Sequence, residues 1–337
     1  ILLISEKKMR NDTRKKFNHS LAKVAELNGV ESAQVQFTVA PAPAQKMEEK
    51  IQASSEFFQK INVVPVEAQT GEAIGLSVNS TIAGRTDTSG NGERNPTDPT
   101  GFGVDKYECK QTNFDVAITY AKLDAWAPFA DFHQRWTNAV AKAIGLDRIM
   151  IGFNGTSAAE TTDRVANPKL QDVNIGWLQK IRTNAPDRVM SAVTVGAAGT
   201  YKNLDALVVD AVNELIDEVH QDDTDLVVIC GRSLLADKNF PMVNDASDNT
   251  NVLAGQVLLS QKQIGGLPAA RVPHFPDNAL LITSFDNLSI YYQKDAKRRY
   301  IQEKPSKNRI EDYQSSNEAY VIEAYEKVAL VEGITIQ

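Results

Sequence analysis

Between Leu123 and Phe153, the residues Trp126, Phe129, His133, Trp136, Val140, Ile144 and Met150 recur mostly three or four apart, which puts them on one helical face. The spacing predicts a single helix over 123–153, roughly 40 Å long at about 1.5 Å per residue. Pro128 falls near its start, where a missing N–H costs little, and Asn154-Gly155 supplies a left-handed stop. A helix of that length reads as a spine against which other segments lie. An ordinary core helix of a large α/β domain fits the periodicity equally well.

Upstream, Phe17, Leu21, Val24 and Leu27 share a face and predict a helix over 9–30, ended by Asn28-Gly29. Its other face carries Arg10, Arg14, Lys15, Lys16 and Lys23. That face is either solvated or part of an arm that contacts an acidic partner. The run Ala-Pro-Ala-Pro-Ala-Gln at 40–45 predicts a stiff extended hinge. A short amphipathic helix over 46–60 follows, with Met47, Ile51 and Phe58 apolar, and then an extended piece at 61–66. Nothing in these first 65 residues builds a core of its own, so they must pack on something else.

The period changes to two at Ile74, Leu76, Val78 and Ile82, and again at Phe114, Val116, Ile118 and Tyr120. The two runs predict a long hairpin over 70–120, around a stretch at 84–103 dense in Gly, Pro, Thr, Ser and Asn. A hairpin with one apolar face is an aggregation hazard unless a neighbouring copy covers it. Ile74, Leu76, Phe114 and Ile118 are therefore inter-subunit candidates. Downstream, a short helix with Trp177 and Leu178 is expected over 170–183, and a Gly/Ala-rich loop over 191–200. From Tyr201 the pattern is α/β: a helix over 204–220, a buried strand at 226–230, and Gly231-Arg232-Ser233 opening a helix to Lys238. Strands follow at 267–272 and 280–283, and 288–336 is mostly strand. No internal repeat occurs, and the whole reads as α+β.

Composition narrows the function. The 337 residues suffice for one large domain or two to three smaller ones, and an apolar content of 42% is globular. A net charge of −7 argues against a free nucleic-acid binder. No apolar run reaches the ~20 residues of a membrane span, and Ile1-Leu2-Leu3-Ile4 is too short for a signal peptide. Residues 1–8 read as an addition before Met9. The two cysteines, Cys109 and Cys230, exclude a disulfide framework.

Catalytic chemistry is nearly absent from the pattern. His19, His133, His220 and His274 have no metal-ligand spacing, and there is neither a phosphate-binding loop nor a nucleophile elbow. The strand-to-helix turn at Gly231 is a weak anion-site signal, and Asp222-Asp223-Thr224-Asp225 reads as a polar turn rather than a calcium loop. Lys294, Lys297, Arg298 and Arg299 form a basic cluster: a solvated turn, or an ion-pairing patch against another subunit or nucleic acid. No metal or cofactor is expected. Arms that cannot bury themselves, without catalytic groups, point to a multi-subunit assembly closing into rings or shells.

Several stretches then carry a specific likeness. They are Val24-Ala-Glu-Leu-Asn-Gly29, Phe37-Thr-Val39, Ile61-Asn-Val-Val-Pro-Val66, Lys106-Tyr-Glu-Cys109 and Asn167-Pro-Lys-Leu-Gln-Asp172 with Gly176-Trp-Leu-Gln-Lys180. Asp225-Leu-Val-Val228 running into Leu234-Leu-Ala-Asp-Lys238, Leu267-Pro-Ala-Ala-Arg-Val-Pro273 and Asn287-Leu-Ser-Ile-Tyr-Tyr292 continue the series, in order, over nearly the whole chain. In these the chain resembles the major capsid proteins of the peduovirus (P-two-like) tailed phages, members of the HK-97-like (Hong Kong 97) capsid fold.

The resemblance implies an N-terminal arm (1–65), an extended E-loop hairpin (66–122), a P-domain with the spine helix (123–199), an A-domain (200–285) and returning P-domain strands (286–337). It implies self-assembly into hexamers and pentamers of an icosahedral head, built in the bacterial host cytoplasm around an internal scaffolding protein that carries a protease. A portal protein and packaged double-stranded DNA would be further partners. It also places arm trimming at the Phe37-Thr38 bond and makes the basic face of 10–23 a scaffold-contact candidate. The chain departs from the family in residues 1–8, in a shorter loop at 191–200, and in ending at Gln337 with little tail. Two other classes stay open at this point: a non-viral compartment shell of the same fold, and an enzyme whose site forms only in three dimensions.

Overall fold

A computed structural model describes residues 9–78, 82–89, 93–96, 100–129, 131–234 and 263–337; at 73–78, 100–105, 132 and 133 only the backbone is described. The predicted helix to Lys238 begins at Arg232, and its end lies outside the described residues.

Helix α1 (Asn11–Asn28) stops at Gly29, whose φ of 65° is the left-handed cap the sequence predicts. Strand β1 (Phe37–Thr38) follows, and then α2 (Pro41–Ala53). The expected hinge at 40–45 is thus the start of a helix. Pro41 sits at its first position and Pro43 within its first turn, where no intrahelical N–H is needed, so the prolines open the helix instead of preventing it. Strands β2 (Asn62–Val66), β3 (Thr70–Val78), β4 (Thr100–Glu108), β5 (Lys110–Asn113) and β6 (Val116–Thr119) come next.

The hairpin differs from expectation in its return strand. β3 pairs antiparallel with β4, from Thr70↔Glu108 to Val78↔Thr100. The alternating run from Phe114 to Tyr120 is not part of it; β5 and β6 pair with a C-terminal strand instead. Alternation marked a one-sided strand correctly but could not name its partner.

The spine is two helices, α3 (Tyr120–Trp126) and α4 (Phe132–Asn154). Pro128 interrupts the ladder because it has no N–H to donate, and α3 closes with Ala127 N donating to Leu123 O. Gly155, expected to be left-handed, has φ −64° and ψ 126°. Its need is space: a Cβ there would lie 2.1 Å from the Asn174 carbonyl oxygen.

The rest comprises α5 (Trp177–Asn184), β7 (Val189–Ser191), β8 (Thr194–Val195), α6 (Leu204–Leu215) and β9 (Val227–Cys230). After them come β10 (Gln263–Ile264), β11 (Leu267–Ala270), β12 (Leu280–Thr283), β13 (Leu288–Gln293), β14 (Arg298–Lys304), β15 (Arg309–Ile322), β16 (Ala329–Glu332) and β17 (Thr335–Ile336).

Two larger sheets organise the chain. In the first, β15 is the central strand: its first half pairs with β14 and β6, and its second half with β13 and β5. β1 extends this sheet beyond β14 and β2 beyond β13, so the N-terminal segments are edge strands of a C-terminal sheet. The second sheet has the order β10-β11-β9-β12-β16-β7. It is covered on both faces, which is why its strands read as unbroken apolar runs. Val228, Cys230, Leu280 and Ile282 pack with Leu207, Val208 and Ala211 of α6. Ile229, Leu281 and Leu330 face a second cluster with Phe57, Phe153 and Trp177. Trp177 is fully buried, donates its indole N–H to Ser289 O at 3.0 Å, and meets Phe153 and Tyr320 edge-on at 5.1 and 5.3 Å.

Candidate functional site

The chain's N-terminal segment lies along its own body. On the apolar side of α1, Phe17 is buried with Ile118, Tyr120, Leu123, Ile301 and Ile310, joined by Met9, Ala33 and Phe37. Ile118 is thus a core residue under α1. Phe114 packs with Ile51 of α2 and with Val140 and Ile144 of the chain's own α4. Both are corrections to their expected place on an intersubunit hairpin: they belong to the sheet around β15, whose faces the arm helices cover. Ile74 and Leu76 are on the hairpin, opposite Val104 and Phe102 in register, and their side chains lie outside the described residues.

The basic face of α1 divides in two. Arg14 donates both guanidinium NH2 groups to the Glu303 carboxylate, one at 2.6 Å, and Tyr120 Oη donates to the same carboxylate at 2.6 Å. The hydrogen bond from Arg14 is the main reason the Glu303 carboxyl titrates below its ordinary value. Burial and the hydrogen bond to Glu303 raise the Tyr120 phenol to about 12. Lys16 donates to the Ala127 carbonyl, and the backbone N–H of Arg10 donates to Asp124 at 3.1 Å. The Arg10, Lys15 and Lys23 side chains belong to exposed residues. Phe37 and Thr38 form β1, with Phe37 buried and Thr38 exposed.

The basic cluster at 294–299 divides the same way. Lys294 is exposed, 3.9 Å from Glu67, and Arg298 is exposed. Arg299 donates to Asp312 at 2.7 and 3.0 Å. Lys297 is turned inward against Glu48 and over the Tyr292 ring, 4.7 Å from its centroid. The side chains of Lys297 and Arg299 are therefore engaged inside the chain, a correction to an outward-facing patch of four cations.

Lys297 leads to a cluster that the sequence reading missed. Arg148 on α4 is buried between Glu48 of α2 and Glu318 of β15, donating to Glu48 at 2.8 and 3.0 Å and to Glu318 at 2.6 to 3.1 Å. Burial alone would raise the Glu48 carboxyl; the charges of Arg148 and Lys297 outweigh it and hold it down at about 2. The signal was present. Arg148 continues the Val140, Ile144 series at four-residue spacing, and Glu318 alternates with the buried Ser316 and Tyr320, so each puts a charge at an inward position.

Elsewhere the polar features have local partners. Lys327 bridges Asp223 and Asp225 at 3.0 and 2.7 Å, and His220 meets Asp223 at 3.0 Å, so the acidic run is a cross-braced turn. Cys109 and Cys230 are buried free thiols. Burial and the Glu318 charge raise Cys109 to about 11. Among the described residues, no group of three or more His, Cys, Asp or Glu side chains could hold a metal ion, and no helix is long and apolar enough to cross a membrane.

Comparison with known proteins accounts for this arrangement. The sequence model of the phage major capsid protein, P2 family, matches residues 16–334. The capsid protein of Escherichia phage P2 is 52% identical over 342 residues, covering 97% of this chain and 96% of its own. The major capsid protein of Serratia phage KSP20 is 44% identical over 341 residues, covering 97% and 98%. Among solved structures, a chain of the satellite phage P4 procapsid including size determination (Sid) protein superposes with a TM-score of 0.80 at 48% identity, covering 98% of this chain and 99% of that one. The fold is of the HK-97-like type, α+β as expected. Shared sequence and shared fold over nearly the whole length have one meaning: the chain belongs to the P2 family of phage major capsid proteins, structural components of the virion shell rather than enzymes.

Proposed function

We propose that this chain assembles with copies of itself into the hexamers and pentamers of an icosahedral head that encloses double-stranded DNA, formed in the host cytoplasm with a scaffolding protein and its protease and joined to a portal. The observation that carries this reading is identity to a phage capsid protein at 52% over 97% of the chain. We assign residues 1–65 to the arm, 123–199 with 286–337 to the P-domain, and 200–285 to the A-domain. The E-loop is the hairpin of β3 and β4, without the 110–119 segment that joins the large sheet. β3 and β4 pair only with each other among the described residues, so a neighbouring copy is the natural cover for Ile74 and Leu76. Electron microscopy tests the reading. The full chain with scaffold is expected to give closed shells. Deleting residues 84–99, which spares both strands, is expected to leave a folded subunit that forms none. Normal shells from the deletion would remove the hairpin from the assembly contacts.

The arm has an assembly role in this reading. Arg10, Lys15 and Lys23 face solvent and attract an acidic or scaffolding partner at long range, with a reach of about 8–10 Å at physiological salt. Once the shell has closed, the arm is dispensable and is trimmed. Co-expression of full-length and 38–337 chains, each with and without scaffold, is expected to give uniform shells only from the full-length chain with scaffold. Equal yields of uniform shells from the truncated chain with scaffold would leave α1 with a merely solvated basic face.

A further inference from the structure

Phe37 and Thr38 are not on an open linker. They pair antiparallel with Arg299 and Arg298 at the edge of the large sheet. Val39 N donates to Lys297 O at 2.8 Å, and Ile301 N donates to Ala33 O at 3.1 Å on the other side of the pair. Ala40 N donates to the Asn28 side chain at 3.0 Å, which ties the strand to the end of α1. The Phe37 side chain is 8% exposed, in the cluster it shares with Phe17 of α1. An endoprotease takes its substrate as an extended strand and reads the side chain before the scissile bond. A segment already paired along one edge, with that side chain in a core, is closed to it.

The same seam is under-filled. Clefts of about 250 Å³ and 160 Å³, each partly open to solvent, lie beside the arm helices, both bounded by Trp136, Thr137, Arg299 and Asp312. Thr13 Oγ1 on α1 and Ser316 Oγ on β15 are buried without a hydrogen-bond partner. The clefts forfeit packing contacts beneath the arm helices, and the Thr13 hydroxyl keeps an unreturned desolvation cost, so the docking of α1 is incompletely packed. Against that looseness stands a charge-assisted clamp, Arg14 and Tyr120 on the Glu303 carboxylate, beside the outer ties of Lys16 to the Ala127 carbonyl and of the Arg10 N–H to Asp124.

We propose that α1 is a latch over the Phe37–Thr38 bond. The bond is cryptic while the helix is docked and becomes a protease substrate when it lifts, and the Arg14–Glu303–Tyr120 clamp sets how often it lifts. The proposal rests on the reading of the arm as a removable element. Chymotrypsin, which cuts after aromatic residues, probes it on the full-length chain without the phage protease, with mass spectrometry following the 37–38 bond against other bonds in the same digest. When opening is fast relative to cutting, the rate follows the open population. Arg14→Ala and Glu303→Gln are expected to raise the relative rate at that bond about tenfold. Thr13→Val, which removes the orphaned hydroxyl, is expected to lower it about threefold. Equal rates at 37–38 in all four chains, zero included, overturn the latch, as does acceleration shared by every bond, which reports global loosening. Trimming by the phage protease at another bond would instead overturn the assignment of the trimming site and leave the chymotrypsin ratios standing.

Discussion

Replacing Arg148 by methionine is expected to lower the stability of the folded chain by about 3–5 kcal/mol, the usual cost of breaking a buried ion pair from one side. Methionine keeps most of the volume, so the loss isolates charge from cavity formation. It leaves Glu48 and Glu318 buried with Lys297 as the remaining cation beside them. Because the four groups come from α2, α4, β15 and the turn before β14, the loss also frees α2 from the body. The acid limb should move as well. A carboxyl held at about 2, against an ordinary 4.5, contributes stability that is complete above the ordinary value and is lost as pH falls through about 2. Without Arg148, burial dominates, the Glu48 value rises, and acid unfolding begins at higher pH. Thermal melting of unassembled protein across this range checks both effects. A melting curve unchanged at neutral pH would show that the cluster does not hold α2.

The second large effect is expected in the other sheet. Val228 is fully buried in β9, in register with Ile282 on one side and Ala269 on the other, and packs toward α6. Val228→Asp places an unpaired carboxylate there, at a cost of several kcal/mol, about the whole stability of an ordinary domain. Soluble yield should collapse. Val209→Asp, on the exposed side of α6, is the matched control and should stay within about 0.5 kcal/mol of the parent. Equal soluble yield and melting for the two aspartates would mean that β9 is not a central strand.

Local signals in the sequence located most elements and few partners. The left-handed stop at Gly29, the Phe17–Leu21–Val24 face and the buried Val228–Cys230 run follow from short-range rules, and the structure repeats them. Pairing is a long-range property, and there the reading went astray: the alternation at 114–120 is satisfied by β15, some 190 residues away, not by β3. Prolines misled in both directions, because position within a helix decides their effect: Pro41 opens one, and Pro128 divides another. The buried cluster was missed for a different reason. A charged residue in an apolar stripe is locally an imperfection, and it becomes a site only when two other elements bring the opposite charges to it. The hairpin's role was legible only as an alternating apolar face, because the proposed cover, a neighbouring copy, leaves no partner pattern in the chain's own sequence.

The edge positions of β1 and β2 have a consequence for synthesis. Phe37 pairs with Arg299 and Asn62 with Ser289, and the central strand β15 ends at Ile322. At about 5–20 residues per second, the ribosome needs on the order of 15–60 s to travel from the first partners to the last. For most of that interval β1 and β2 are tethered without their strand partners, and the second sheet also waits for β16. A nascent chain stalled before Arg309 lacks the central strand of one sheet and β16 of the other. Its β13 and β14, the partners of β2 and β1, are already made but lack the strand between them, and the apolar faces of both sheets stay exposed. Synthesis of β15 and β16 is thus the step at which both sheets can close, and it comes at the end of the chain.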